Sequence, residues 1–171
     1  MPFSVADSLV SEDRLPGETP ENMARRLAET KALAVAGGFP RALIIGCDQV
    51  AVGSGEIFGK PGSHENAARQ LRALSGRDAV FHTAVCVHNT LTRLISSRVV
   101  PCRVLFRKLD DARIERYLAR EQPYDCAGSA KSEGLGIALI AKIEGSDPTA
   151  LVGLPLIALV ELLQEQAFDV V

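Results

Sequence analysis

The chain has 171 residues, of which 47% are hydrophobic and 23% are charged, and this size and balance predict one globular domain over residues 1–171. Its formal net charge of -2 argues against a long nucleic-acid partner, because such a partner requires many local cations. No apolar run approaches the roughly 20 residues of a membrane helix, and the first residues lack the features of a signal peptide, so we predict a cytoplasmic protein without membrane contact.

The first predicted elements are a helix, a strand and a hairpin. Residues 19–36 predict a helix, since Thr19 suits the N-cap, Pro20 suits the first turn and two glycines follow the pattern. The apolar run at 42–45 is too short for a helix here and predicts a buried strand. The alternating pattern over 50–58 is interrupted by glycines in its middle, which predicts a hairpin.

Helices and strands continue to alternate in the rest of the chain. The predicted elements are, in order, a helix over 63–75, strands over 80–87 and 99–106, a helix capped near Asp110, a loop over 123–136, a strand over 137–143 and a helix over 154–164. Strands that alternate with helices and include at least one hairpin predict an α/β fold, with a mixed central sheet flanked by helices.

Asp48 is the first candidate for a functional residue. It directly follows the apolar run at 43–46, so its carboxylate is predicted to emerge at the carboxyl end of a central strand. Open α/β sheets commonly hold ligands at that edge. The alternative is that Asp48 only caps a turn, since aspartate accepts backbone hydrogen bonds well. The local sequence leaves both interpretations open.

Two lysines have unusual surroundings. Lys31 falls inside the apolar stripe of the first predicted helix, where a charged residue is unexpected. Its stem could instead cover apolar surface while the ammonium reaches water. Lys60 lies in a tight Gly-Lys-Pro loop that does not match a P-loop, and the simplest interpretation is an exposed loop lysine. From the residues alone, a functional role is better supported for Lys31 than for Lys60.

Other polar and thiol side chains favour ordinary structural roles. The loop over 126–136 combines small residues with a cation and a carboxylate, which is weak evidence for a pocket. The arginine pairs Arg25-Arg26 and Arg113 with Arg116 are most simply the solvated faces of helices. The four cysteines contain no Cys-x-x-Cys pair, so they predict neither a disulfide framework nor a structural metal site.

Several short blocks, taken in order, resemble the signature motifs of the Maf family of nucleotide pyrophosphatases. The blocks are Glu18-Thr19-Pro20, Arg26-Leu27-Ala28, Lys31-Ala32, Ile45-Gly46-Cys47-Asp48-Gln49-Val50, Gly59-Lys60-Pro61, Leu74-Ser75-Gly76 and Val152-Gly153-Leu154-Pro155-Leu156. The resemblance extends over nearly the whole chain, and the order and spacing match as well as the residues. It implies a Maf/ITPase-like α/β fold.

The resemblance also implies a reaction and a set of site residues. Members of the family hydrolyse a nucleoside triphosphate between its α- and β-phosphates, with a divalent cation such as Mg²⁺ or Mn²⁺. On that pattern Asp48 is the proton acceptor and, with Glu12, a metal ligand, because carboxylates suit both tasks. Lys31 and Lys60 would neutralise the triphosphate and the charge that develops in the transition state.

The substrate implied by the resemblance is 7-methyl-GTP. Asp48-Gln49 and the segment from Ala127 to Gly134 resemble the 7-methyl-GTP pyrophosphatases of the family, and Gln49 and Glu133 match the specificity positions. A carboxylate near the base is chemically reasonable, because 7-methylguanine carries a positive charge that guanine lacks. Such an enzyme would keep modified nucleotides out of nucleic acids. By analogy with the family, a homodimer is expected.

The resemblance departs from the family at the start of the chain. Family members begin with a short strand and a Ser-x-Ser-Pro-x-Arg-Arg loop, and the sequence as given starts beyond that segment. The first strand of the fold is therefore expected to be missing, with weaker phosphate binding and an unpaired strand edge. The alternative function is accordingly a truncated, catalytically impaired Maf-like protein that acts as a nucleotide-binding or cell-division regulatory factor.

Overall fold

The computed structural model describes four α-helices and five β-strands over residues 2–171. The helices are α1 (Pro20–Val35), α2 (His64–Leu74), α3 (Asp111–Glu121) and α4 (Leu156–Glu165), and the strands are β1 (Leu43–Gly53), β2 (Glu56–Phe58), β3 (Asp78–Asn89), β4 (Ile95–Phe106) and β5 (Ile140–Gly145). Short 3₁₀ turns cover 36–38, 127–129, 135–139 and 150–152. None of the helices described over residues 2–171 is long and apolar enough to cross a membrane.

The five strands form one sheet in the order β2-β1-β3-β4-β5. β1 and β2 form an antiparallel hairpin in which Val52 is opposite Ile57. β4 and β5 are also antiparallel, and there Val104 is opposite Ile143. The predicted α/β class, with helices flanking a central sheet, is confirmed.

The sheet is antiparallel, whereas the sequence predicted a mixed one. Helical connections create a parallel pair only when the two joined strands become neighbours with the same direction. Here α2 joins β2 to β3, but β1 lies between those two strands in the sheet. α3 joins β4 to β5, and these neighbours run in opposite directions. The strand order therefore leaves no helical connection between parallel neighbours.

The described chain divides into two compact units. The first contains the described residues up to Asp48, together with Thr83–Val100 and Asp147–Val171, and the second contains Gln49–His82 and Pro101–Ser146. In the first unit, α4 buries Leu159 and Leu162 in a core shared with Val85 and Val87 of β3. The single domain over 1–171 stays a prediction.

The second unit has its own buried apolar contacts. α2 packs against α3, and each helix buries one face of its amphipathic pattern. Leu71 and Leu74 are buried on α2, and Ile114 and Leu118 are buried on α3. The burial of these four side chains removes apolar surface from water and stabilises the pairing of the helices.

Three helices begin at the predicted positions, and each has a side-chain cap at its start. Thr19 accepts a hydrogen bond from the backbone of Asn22, at 3.2 Å, so α1 begins at Pro20 as predicted. Ser63 and Asp110 cap α2 and α3 in the same way. Each cap satisfies a backbone N–H that has no partner inside its helix, which explains why local sequence located these boundaries.

The start of α4 depends on residues outside the helix. Its N-cap is Pro155, which has no side-chain acceptor. The backbone N–H groups of Leu156 and Ile157 instead donate to Thr149 Oγ1 and Asp147 Oδ2, both at 2.8 Å. These distant acceptors satisfy the first turn of α4.

Candidate active site

Asp48 lies within β1 and not beyond the end of a strand, so its predicted position is wrong. The first strand was predicted at 42–45, whereas β1 continues to Gly53. In the structure Gly46 continues the strand and allows α1 to approach it closely. A Cβ at position 46 would lie 2.1 Å from the carbonyl oxygen of Ala28 and 2.9 Å from the Cβ of Ala32. This close approach sets α1 next to the strand that carries Asp48.

Lys31, on α1, forms ion pairs with two carboxylates. Its Nζ atom lies 2.6 Å from Oδ1 of Asp48 and 2.6 Å from Oε1 of Glu12. The Asp48 side chain is only 9% exposed and the Lys31 side chain 21%, whereas that of Glu12 is 45% exposed. We call Glu12, Lys31 and Asp48 the Lys31 cluster. The ammonium group of this lysine, which was predicted on the apolar stripe, therefore contacts two carboxylates.

The charge of Lys31 is maintained by these contacts. Burial alone would lower the pKa of its ammonium, but the hydrogen bonds to Asp48 and Glu12 raise that pKa above its ordinary value. The ammonium therefore stays protonated at neutral pH. It can neutralise anionic groups, and it cannot accept a proton from water.

Glu12 belongs to a segment without helix or strand, and this segment is bound to α1 by a second ion pair. The Arg26 guanidinium donates to both oxygens of Glu18, with distances of 2.6 Å from Nε and 2.9 Å from Nη2. Arg26 Nη2 also donates to the carbonyl of Asp13, at 3.0 Å. The interpretation of Arg26 as a solvated residue is therefore wrong, because its fork holds the residues that follow Glu12.

The ion pair shifts the titration of Glu18. The hydrogen bond from Arg26 lowers the pKa of Glu18 to about 2, and a backbone hydrogen bond from Leu15 acts in the same direction. Hydrogen bonds to the charged form of a carboxylate favour that form. Glu18 is thus ionised over the physiological pH range. The eight-residue spacing of Glu18 and Arg26 provides no local signal in the sequence for this pair.

Cys47 precedes Asp48 but offers no nucleophile. Its Sγ atom lies 2.8 Å from the carbonyl of Ala84 and 2.7 Å from that of Gly153. Burial raises the pKa of the Cys47 thiol to about 12, and the neighbouring Asp48 carboxylate contributes to the increase. A thiol that stays protonated is a poor nucleophile.

The other predicted site residues lie in the second unit. Gln49 is the next residue of β1, Lys60 lies in the exposed loop after β2, and Glu133 lies in the exposed loop that precedes β5. Gln70 of α2 connects the two loops. Its Nε2 donates to the carbonyl of Gly59, at 3.0 Å, and its Oε1 accepts from Ser129 Oγ, at 2.6 Å. No sequence pattern indicates this role for Gln70.

The carboxylate oxygens of Glu12 and Asp48 are suitable ligands for a hard divalent cation. One oxygen of Glu12 and one of Asp48 each lie 2.6 Å from the same nitrogen atom, so they are no farther apart than twice that distance. Among residues 2–171 there is no group of three or more His, Cys, Asp or Glu side chains arranged to hold a metal ion. Mg²⁺ commonly uses one or two carboxylates and takes its other ligands from substrate phosphates and water. Two carboxylates are therefore a sufficient protein contribution.

The fold and the Lys31 cluster define an α/β protein with a candidate centre for phosphate chemistry. A family model described as Maf-like protein matches residues 1–166, and the chain belongs to this family. A protein of Methylobacillus flagellatus is 56% identical over 171 residues, which are the whole chain and 89% of the relative. A protein of Nitrosospira multiformis is 54% identical over the whole chain and 86% of its own length. Both relatives are named 7-methyl-GTP pyrophosphatase.

Proposed function

We propose that this chain hydrolyses 7-methyl-GTP to 7-methyl-GMP and pyrophosphate. The proposal is supported by its relatives of this name, which match the whole chain at more than half identity. The structural observation that carries it is the Lys31 cluster, in which Asp48 and Glu12 both contact one ammonium at 2.6 Å. An ammonium and two carboxylates provide what phosphoanhydride hydrolysis needs: a cation for the phosphates and an acceptor for the proton of water.

In the proposed reaction, Asp48 accepts the proton of the attacking water. Its side chain is mostly buried, so its carboxylate is held in place by surrounding groups. Lys31 remains an ammonium and stabilises the negative charge that develops on the phosphate oxygens. Positioning and electrostatic stabilisation dominate phosphoryl chemistry, and a fixed ammonium next to a fixed carboxylate supplies both.

Glu12 and Asp48 are the proposed ligands of a divalent cation, Mg²⁺ or Mn²⁺. When bound, such an ion would neutralise the phosphates and orient them for attack. Glu12 is the more exposed of the two carboxylates, so it can change partner from the Lys31 ammonium to the ion with little rearrangement of buried groups. Asp48 supplies the buried side of the proposed site.

Substrate contacts are proposed for three residues of the second unit. Lys60 would neutralise the triphosphate, and Gln49 and Glu133 would distinguish the base. An exposed carboxylate such as that of Glu133 can attract the positive charge of 7-methylguanine at close range. The hydrogen bonds of Gln70 support the proposal, because one side chain of α2 contacts both the carbonyl of Gly59, next to Lys60, and the hydroxyl of Ser129, in the loop that contains Glu133.

The alternative function, an impaired Maf-like protein acting in nucleotide binding or cell-division control, is not favoured. The relatives named as pyrophosphatases match the chain from end to end, and the Lys31 cluster retains both acid and base groups. We propose that the enzyme acts in the cytoplasm, where nucleotides are used, and removes a modified nucleotide before its incorporation. The homodimer and the absence of a long nucleic-acid partner stay predictions.

The proposal is tested by measuring pyrophosphate release from 7-methyl-GTP, GTP, dTTP and UTP, with Mg²⁺ or Mn²⁺ and with EDTA. We expect release from 7-methyl-GTP in particular, and we expect it to require the divalent ion. Asp48→Asn should lower kcat by about 10² to 10⁴, the usual contribution of a general base. Asp110→Asn is the matched control, since Asp110 caps α3 and takes no part in the site. Equal activity of Asp48→Asn and the control would contradict the proposal.

A further inference from the structure

The second unit contains a cavity lined by four arginines. Arg107, Arg113, Arg116 and Arg120 surround an opening of about 610 Å³. The last three are on α3, at spacings that place them on one face of the helix. We call this opening the arginine cavity. The prediction that Arg113 and Arg116 lie on a solvated face is confirmed, since all four arginines are exposed. Nothing in the proposed reaction uses them.

The carboxylates of α3 are engaged elsewhere. Asp111 pairs with Arg72 at 2.6 Å, and Glu115 pairs with His64 at 2.7 Å. Glu121 accepts the backbone N–H of Leu135, also at 2.6 Å. Within residues 2–171, no carboxylate forms an ion pair with any of the four guanidinium groups of the arginine cavity.

The separation of the α3 carboxylates from the four arginines indicates an anionic ligand. Like charges three or four residues apart destabilise a helix, and Arg116 has such neighbours at 113 and 120. Two other guanidinium groups of the same unit are paired with carboxylates, as in the ion pair between Arg103 and Asp78 at 2.6 Å. The four guanidinium groups of the arginine cavity, by contrast, have no carboxylate partner among residues 2–171.

The size and floor of the cavity restrict the ligand further. Its volume falls within the range of about 300–1,000 Å³ that is typical of small-molecule sites. Its floor includes Tyr117 and Leu139, which are 5% and 1% exposed. The planar fork of arginine binds phosphate through two parallel hydrogen bonds. We propose that the arginine cavity binds a small molecule with two or more adjacent phosphate groups.

Isothermal titration calorimetry of the full chain in EDTA, at about 50 mM salt to limit screening, tests this site. The probes are inorganic tripolyphosphate and ATP, and the variant is Arg113→Gln/Arg116→Gln. The control Arg41→Gln/Arg93→Gln removes the same charge from exposed residues of the first unit. We expect the first variant to weaken tripolyphosphate binding about tenfold or more, as the loss of charged hydrogen bonds predicts, and the control to bind like the unaltered chain.

The two probes distinguish the sources of the phosphate groups. Similar affinities would show that the arginines recognise phosphates alone, whereas a clear preference for ATP would show that the apolar floor binds a nucleoside. Protection of Arg113 and Arg116 from phenylglyoxal by tripolyphosphate, read by mass spectrometry, checks the location without any substitution. Equal binding by both double variants, absence of protection, or binding of an oligoglutamate peptide in place of tripolyphosphate would overturn the proposal.

Discussion

Arg26 and Lys31 both lie on α1 and both form short ion pairs, but they differ in the number of carboxylates that they contact. Arg26 matches one carboxylate, that of Glu18, with a two-point fork. Lys31 is a single charge shared by two carboxylates, Glu12 and Asp48. The Arg26 pair therefore joins one cation to one carboxylate, whereas the Lys31 ammonium is shared between two carboxylates.

This difference separates a positioning contact from a chemical one. A bidentate arginine-carboxylate pair has a fixed geometry and suits the task of holding a segment in place. A lysine ammonium is a point charge that can change partner without losing a matched fork. We therefore expect substitutions in the cluster to affect turnover and substitutions in the Arg26 pair to affect the placement of Glu12.

Among the substitutions that compare the Lys31 cluster with the Arg26 pair, the largest effect is expected for Lys31→Gln. The proposed reaction then loses the cation that stabilises charge on the phosphates, so kcat should fall by about 10² to 10³, as for other groups that stabilise a transition state electrostatically. Pyrophosphate release from 7-methyl-GTP measures the change. Lys142→Gln, at an exposed lysine paired with Glu144, is the control. A kcat within twofold of the unaltered chain would remove the contrast between the cluster and the Arg26 pair.

A smaller effect is expected for Glu12→Gln. The amide keeps the shape of the side chain but is a poorer ligand for a hard cation. We expect a loss of about 10- to 100-fold at low Mg²⁺, with partial recovery as the Mg²⁺ concentration rises, and a Mg²⁺ titration of the activity measures both. Asp13→Asn, one residue further along the same segment, should leave the Mg²⁺ requirement unchanged. A loss that is independent of Mg²⁺ would contradict a role for Glu12 at the ion.

The parts of the fold that depend on local chemistry could be predicted from the sequence. The starts of α1, α2 and α3 follow from Thr19, Ser63 and Asp110, because a cap acts on residues within the next turn. β1 was divided at Gly46, since a glycine there resembles a turn unless its packing partner on α1 is known. Strand order, and with it the antiparallel sheet, depends on contacts between distant segments that no local pattern records.

The candidate site was predicted to a similar extent. Lys31 was noticed from its place on an apolar stripe, because helical periodicity is a local signal. Glu12 was expected only from the family resemblance, since its contact with Lys31 joins segments that are far apart in the sequence. The role of Arg26 was misread, because a surface arginine and a paired one look the same without the partner carboxylate of Glu18.

A moderate effect on activity is expected for Glu18→Gln. The Arg26 fork then loses its charged partner, and the segment that carries Glu12 is held less firmly. We expect kcat/KM for 7-methyl-GTP to fall by about tenfold, which is the change that a misplacement worth 1.4 kcal/mol produces. Glu21→Gln is the matched control, because Glu21 forms only a surface pair with Arg25 at 3.6 Å. Equal effects of the two variants would show that the Arg26 pair has no positioning role.

The smallest effect is expected in the pH dependence of stability. The pKa of Glu18 is lowered from 4.5 to about 2, first of all by its hydrogen bond from Arg26. A carboxylate with a lowered folded-state pKa stabilises the fold above its unfolded pKa, and this contribution disappears as pH falls through the folded value. The difference in unfolding free energy between the unaltered chain and Glu18→Gln should therefore be constant above pH 4.5 and diminish towards pH 2. Urea unfolding at several pH values measures that difference. If this difference in unfolding free energy vanished while the pH was still above 4.5, Arg26 would not be stabilising an ionised Glu18. The Arg26 pair would then not be the positioning contact that distinguishes it from the Lys31 cluster.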